Sequence, residues 1–327
     1  MRSESAGGSD TYHPAMTSGT SPSDPRRGAL LAEGEAASGP ERHRMSCMEV
    51  WGGNRTTDIL VRATGLDTRA FSLPYGGAAR GGDVLHVTAC SSGRITRALL
   101  ADVVGHGEPA AEAAESLRRL MGEVVNILDQ GKLVGALNRE FTRLQEEGRF
   151  ASAIVASYFR PTGTLTLCNA GHPPPLLYSE EEASWSFLEP RRGSSSRSRP
   201  LNLPLGFFGS VDYELQEIDL RRGDLVVLYT DGLIEATDVD GEEFGYGRLL
   251  DLLESSSPTS FDGVIPGVLG AIESWIGSSA LADDISVMVF ARNELKSSLQ
   301  DEMLAPVRYL RHRFGGLRAG ESDQQRP

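Results

Sequence analysis

The stretch that decides the fold is "LLADVVGHGEPAAE", residues 99–112. An apolar run ends in a carboxylate, Asp102. Gly105, His106 and Gly107 follow, and then alanine-rich sequence suited to a helix. An acid at the end of a buried strand is costly unless it is paired or holds a cation. Fold and function both turn on what Asp102 meets.

Outward from this point two periodicities alternate. Strands are predicted at "LDTRAFSL" (66–73), "DVLHVTAC" (83–90), "RITRALLADV" (94–103), "FASAIVASYF" (150–159), "TLTLCNAG" (164–171), "PPLLYS" (174–179), "SWSFLEP" (184–190), "YELQEIDL" (213–220), "DLVVLYTD" (224–231) and "DISVMVFAR" (284–292). Recurrence at three and four residues predicts one helix through Ala110, Ala114, Leu117, Leu120, Met121, Val124 and Leu128, and a second through Val134, Leu137, Phe141 and Leu144. Two more follow at "YGRLLDLLES" (246–255) and "DGVIPGVLGAIESWI" (262–276). Runs of strands broken by helical pairs indicate an α+β fold rather than strict βαβ alternation. The turns "RPTG" (160–163) and "RRGD" (221–224) predict antiparallel hairpins.

Residues 1–47 are rich in Ser, Gly, Pro, Glu and Arg and hold too little apolar surface to offset the entropy of ordering, so a disordered segment is expected there. One domain is expected over 48–292. A polar tail over 293–327 is expected to hold at most a short helix at "MLAPVRYLRHRFGGL".

The net charge of −13 argues against a nucleic-acid binder, which needs clustered Lys and Arg. Cys47, Cys90 and Cys168 are scattered without CxxC spacing, which suggests a reducing compartment and neither a disulfide framework nor a structural zinc. No apolar stretch approaches a membrane span, and the N-terminus lacks the pattern of a signal peptide. A cytoplasmic protein with no membrane partner is expected.

Acids recur at four strand boundaries. Asp83 opens a strand, Asp102 and Asp231 each close one, and Asp283 and Asp284 open the last. Side chains alternate along a strand, so Asp83 falls with Leu85 and Val87, Asp231 with Leu225, Val227 and Tyr229, and Asp283 with Ile285, Val287 and Val289. Asp284 falls with Met288 and Phe290, so parity favours Asp283 only weakly. A single Asp before a Gly is most simply a turn residue, and that reading stays open. As a group the acids need partners, and Lys or Arg is not placed beside all of them. Hard cations such as Mg²⁺ or Mn²⁺ would satisfy them together. A pair of such ions, about 3.5–4 Å apart, lowers the pKa of a water between them. Phosphate esters are the natural target of that chemistry.

The motifs "GGD" (81–83), "ADVVGHG" (101–107), "NAGHPPPLL" (169–177), "GDLVVLYTDGLIEA" (223–236), "FGYGRLLDLL" (244–253) and "DDIS" (283–286) stand in the order and spacing of the SpoIIE/RsbU-like serine/threonine phosphatases, of the metal-dependent (PPM, type 2C) superfamily. The resemblance covers about residues 66–291. It implies a four-layer αββα sandwich of two antiparallel sheets, with two Mn²⁺ or Mg²⁺ ions at one end. Carried over motif by motif, it implies that Asp83, Asp102, the Val103 carbonyl, Asp231 and Asp283 hold metal, with Asp102 bridging. The implied reaction is in-line attack of a metal-bridging hydroxide on phosphoserine or phosphothreonine. The implied partner is a phosphorylated regulatory protein of the anti-sigma-factor-antagonist type.

Members usually carry an aromatic pair and an acid after GGD, where this chain has Val84, Leu85 and His86. Loss of an outer carboxylate at 86 is expected to weaken metal binding, and it is the one support for an alternative, a non-catalytic phosphoprotein-binding module. A two-metal phosphodiesterase ranks last, because no basic or Gly-rich nucleotide cradle is present. His106 is a candidate general acid, set against a turn role through a hydrogen bond. His172 and Asn169 read as structural, Cys168 as a buried thiol, and "RRGSSSRSR" (191–199) and "SEEEAS" (179–184) as solvated. An activating protein partner is expected to work through the helical pair at 108–146, and a homodimer is left open.

Overall fold

The structure, a computed structural model, describes residues 40–45, 49–89, 93–144, 148–188, 201–256, 260–277, 279 and 281–295. Its elements run β1 (Glu41–Arg44), β2 (Val50–Gly53), β3 (Thr57–Ala63), β4 (Leu66–Leu73), β5 (Asp83–Ala89), β6 (Ile95–Val103), α1 (Glu108–Val124), α2 (Gln130–Leu144), β7 (Ala151–Phe159), β8 (Thr164–Ala170), β9 (Leu176–Ser179), β10 (Ser184–Phe187), β11 (Gln216–Asp219), β12 (Leu225–Tyr229), α3 (Asp231–Ile234), α4 (Gly245–Ser255), α5 (Phe261–Ile276) and β13 (Ile285–Arg292).

The strands form two sheets. One has seven strands in the order β1-β3-β4-β13-β12-β9-β10, and the other six in the order β11-β8-β7-β6-β5-β2. Each inner face contributes one side of the central core: Leu85, Leu100, Ile154 and Leu167 from the six-stranded sheet meet Val61, Val226, Met288 and Phe290 from the seven-stranded one. The outer face of the six-stranded sheet, with Val84, Leu99 and Val155, buries Leu117, Met121, Leu137 and Phe141 of α1 and α2. The outer face of the other, with Phe71, Val227 and Val287, buries Leu249, Leu253, Leu269 and Ile272 of α4 and α5. These are the four layers αββα. Strands covered on both faces lose the polar alternation of a half-exposed sheet, so every residue of β5 is buried.

Several expectations are revised. β1 lies inside the segment 1–47 expected to be disordered. It pairs with β3, and in parallel. Its sequence, ERHR, is that of an edge strand whose side chains face water, and composition alone cannot tell this from disorder. β2 and β3 were also unassigned. "RPTG" does join the antiparallel pair β7–β8, but "RRGD" joins β11 to β12, which lie in different sheets. It is a crossover, not a hairpin. Leu128 lies beyond the end of α1 and is 79% exposed, and Leu144 is also exposed. The tail helix expected at 303–317 lies outside the described residues, whereas Asn293 is anchored, donating to the Ala63 carbonyl and accepting from Gly65 N, each at 2.9 Å.

One buried cation shows how side chains complete the backbone. Pro266 lies within α5 and has no N–H to give the Asp262 carbonyl one turn back. Arg69 of β4, buried, donates to that carbonyl at 2.6 Å.

Candidate metal centre

Antiparallel register sets Asp83 of β5 directly opposite Asp102 of β6. Asp83 continues the stripe of Leu85 and Val87, and Asp102 that of Ala98 and Leu100, so both point toward the second sheet at one end of the sandwich. Like charges facing each other across two strands are destabilising.

The second sheet brings the other acids by a different route. β12 stops at Tyr229 and Asp231 opens α3, while Asp283 and Asp284 precede β13. The placement of Asp231 and Asp283 within strands is thereby corrected. Their apolar stripes face the outer helices, and the acids reach the site from the connections beyond the strand ends. Thr230, buried between them, donates to Asp83 Oδ2 at 2.8 Å and accepts from Ser286 N at 2.9 Å. That hydroxyl ties the two sheets together at the site.

Asp284 and Asp283 meet different surroundings. Asp284 is 7% exposed. Its Oδ1 accepts from Tyr75 N at 2.6 Å, and its Oδ2 accepts from Gly82 N at 2.6 Å and Asp83 N at 3.1 Å. It is turned into the backbone, whereas Asp283 stays half-buried at the site. The glycines of two motifs serve this clamp. A Cβ at Gly81 would sit 2.3 Å from Asp284 Oδ2, and one at Gly232 would sit 2.1 Å from the Asp284 carbonyl oxygen. A Cβ at Gly82 would come 3.0 Å from the Val103 carbonyl oxygen, so glycine keeps that oxygen clear. The chain then leaves β6 through Gly105 and Gly107, with φ of 103° and 75°, and enters α1.

The electrostatics are one-sided. Burial first, then Asp102 and Asp284, hold the Asp83 carboxyl well above its usual range. Burial, then Asp231, Asp283, Asp284 and Glu235, push Asp102 up to about 8. Asp231 is raised by burial, and Asp283 by burial with Asp284 and Asp231 adding to it. No cationic side chain contributes to the shifts of Asp83, Asp102 or Asp231. The donor set is all oxygen, the set that Mg²⁺ and Mn²⁺ prefer, and its charge calls for a cation. The residues fit such ions in chemistry. Among the described residues no three His, Cys, Asp or Glu side chains close on one point.

His106 is exposed on the loop after Asp102, close enough to Asp283 to counter the rise in that carboxyl. Among the described residues it makes none of the hydrogen bonds weighed for a turn role. Sequence reasoning missed Thr230, Asn54 and the rim formed by Glu235 and Tyr246. The carboxyl of Glu235 is raised by burial, Asp231, Glu243 and Asp283, and the Tyr246 hydroxyl by burial, Asp231 and Glu235. "LIEA" and "FGYG" carried that signal, but only the fold brings them beside Asp231.

His86 lies elsewhere. It is fully buried on the outer face of β5, near Arg118 of α1, with neither ring nitrogen hydrogen-bonded, and burial lowers its pKa to about 3. Three residues along β5 from Asp83, it lies on the opposite face of the sheet from that carboxylate. His172 bonds Ser152 Oγ through Nδ1 at 2.7 Å, and Asn169 closes the turn by accepting from His172 N at 2.8 Å. Burial pushes the Cys168 thiol up to about 12, which leaves it unreactive. In "SEEEAS" the turn is held by Asp224, which accepts from Glu180 N at 3.0 Å. "RRGSSSRSR", Cys47 and Cys90 lie outside the described residues. Among the described residues no helix is long and apolar enough to cross a membrane.

Comparison with known proteins agrees with this fold. The family model of stage II sporulation protein E (SpoIIE) matches residues 92–293. The phosphoserine phosphatase RsbU of Bacillus subtilis is 27% identical over 143 residues, which are 43% of this chain and 40% of RsbU. The chain therefore spans about two fifths of that relative's length. The structure of the RsbU and RsbW domains of Rv1364c from Mycobacterium tuberculosis is similar with a TM-score of 0.60 and 26% identity, over 74% of this chain and 64% of that one. The PP2C phosphatase domain of SpoIIE from Bacillus subtilis, solved with a fragment of its regulatory domain, shares the fold, with a TM-score of 0.58 and 15% identity over 75% of this chain and 71% of that one. Motifs, layers and family match coincide, and the chain belongs to the SpoIIE family.

Proposed function

We propose that this chain is a divalent-metal-dependent phosphatase acting on phosphoserine or phosphothreonine of a regulatory protein. The observation that carries this reading is the gathering of Asp83, Asp102, Asp231 and Asp283 at one end of the sandwich, their carboxyls raised and no basic side chain set against the inner three. These four and the Val103 carbonyl would hold Mn²⁺ or Mg²⁺. When bound, two such ions supply Lewis-acid chemistry that makes hydroxide available near neutral pH and neutralises phosphate oxygens.

The chain's own residues do the rest. Thr230 orients Asp83 through its hydroxyl. Asp284 fixes the backbone before Asp83 and stands next to Asp283. His106, exposed at the rim near Asp283, would give a proton to a leaving serine oxygen. The alternative of a non-catalytic binding module loses its support, because His86 faces α1 rather than the acids. An anti-sigma-factor-antagonist type of substrate is what the family resemblance implies, and control by a partner bearing on α1 and α2 is proposed because that pair starts at the loop after Asp102.

The test is hydrolysis of para-nitrophenyl phosphate by the purified chain with and without Mn²⁺, beside Asp231→Asn. Metal-dependent turnover that vanishes in the variant is expected. Turnover without metal, or surviving in Asp231→Asn, would overturn the proposal.

A further inference from the structure

Asn54 is a residue in no motif. It follows the edge strand β2 and is 3% exposed. Its backbone carbonyl accepts from Gly81 N at 2.8 Å. Its side-chain Nδ2 donates both hydrogens, to the Gly81 carbonyl and to the Ala111 carbonyl, each at 3.0 Å. Ala111 lies in the first turn of α1, the turn that grows out of the Asp102–Gly107 loop. One amide therefore fastens the GGD loop to the start of α1.

Gly81 is gripped from the other side as well. Its Cα faces Asp284 Oδ2 with no room for a Cβ, and that same oxygen holds Gly82 N and Asp83 N. Further along, Val103 N donates to the Gly82 carbonyl at 3.3 Å, and Arg80 pairs with Glu108 at the head of α1. The peptide before Asp83 is thus pinched between Asn54 and Asp284. Asp83 sits two residues beyond the pinch, where a small rotation of Gly81 would move its carboxylate relative to Asp102.

We propose that Asn54 is a positioning residue for Asp83. It sets the GGD loop by reference to the first turn of α1, so that the geometry of the metal oxygens and the placement of α1 are fixed together. This rests on the metal reading proposed above. An amide is the residue type suited to the task. Two carbonyls need two donors from one point, which Asn supplies, and Asp, of the same shape, cannot.

The test uses the full chain and Mn²⁺ alone. Asn54→Ala is compared with wild type and with Asn293→Ala, whose side chain also bridges backbone groups but at the far end of the sandwich, on Gly65 and Ala63. By calorimetry, Asn54→Ala is expected to bind Mn²⁺ roughly 10-fold or more weakly, the range for partners that orient metal ligands, while Asn293→Ala binds as wild type does. By hydrogen exchange, Mn²⁺ is expected to raise protection of amides 110–114 in wild type and in Asn293→Ala, and not in Asn54→Ala. Unchanged affinity in Asn54→Ala, equal weakening in both variants, or an intact exchange response in Asn54→Ala would overturn the inference. A wild type that takes up no Mn²⁺ would overturn the metal reading and this inference with it.

Discussion

The two ends of the sandwich treat aspartate in opposite ways. At the end where β3 turns into β4, Asp67 is held by Arg62 through two bonds of 3.1 and 3.0 Å and by Asn293 Nδ2 at 2.6 Å. At the other end Asp83 and Asp102 face each other across two strands, with Asp231 and Asp283 drawn in beside them. The chain has Arg to spare and uses it where an acid serves structure. An unpaired acid cluster weakens a fold, so its presence at this end calls for positive charge from another source.

The sharpest way to break this contrast is to neutralise one acid at each end. Asp102→Asn is expected to lower Mn²⁺-dependent turnover by about 1000-fold, roughly 4 kcal/mol in the barrier, and to raise the melting temperature of the metal-free protein by relieving repulsion. Asp67→Asn is expected to do the reverse, lowering the melting temperature with turnover intact. Steady-state kinetics and thermal melts read both, and a metal-free Asp102→Asn protein that melts lower than wild type would break the comparison.

A smaller effect is expected from pH. Asp102 titrates near 8 in the fold against about 4 in an unfolded chain. Between those values the folded state keeps a proton the unfolded state has lost, so metal-free stability falls as pH rises from about 4 to about 8. Asp83, Asp231 and Asp283 shift in the same direction. Protons and Mn²⁺ compete for the same oxygens, so Mn²⁺ should stabilise more at pH 8 than at pH 5. At about a hundred times its dissociation constant it adds about 2.7 kcal/mol. Melts at both pH values, with and without Mn²⁺, check this, and a metal-free melting temperature that climbs toward pH 8 would contradict it.

The smallest effect belongs to His86, a buried polar group that is unpaired but lies away from the acids. His86→Leu is expected to gain about 1 kcal/mol by removing unsatisfied nitrogens and to leave Mn²⁺ affinity unchanged. Denaturant unfolding and calorimetry read the two quantities. A change in affinity would mean that burial beneath α1 does bear on the metal oxygens.

Much of this was legible in the chain itself. The strand and helix periods are local, so β4 was placed at 66–73 and the last strand at 284–292 to within a residue. The resemblance carried by the motifs implied one site for Asp83, Asp102, Asp231 and Asp283, and in three of those runs, GGD, ADVVGHG and YTDG, the acid stands with a glycine. Other features depended on contacts between residues far apart in sequence. The edge strand Glu41–Arg44 hides in polar sequence because its stability lies in backbone bonds to β3. "RRGD" read as a hairpin because a tight turn looks the same whether it joins neighbours or crosses between sheets. The choice between Asp283 and Asp284 turned on which carboxylate met the backbone of Gly82, some 200 residues away in the chain. Asn54 carried no sequence signal, since its two acceptors are carbonyls, which every residue has. Local pattern was enough for the centres of most strands and helices and for the oxygen chemistry of the acids beside them. The tertiary structure decided which acids meet, which one is turned away to hold the loop, and which neutral amide holds that loop to α1, because these depend on long-range packing that no local pattern encodes.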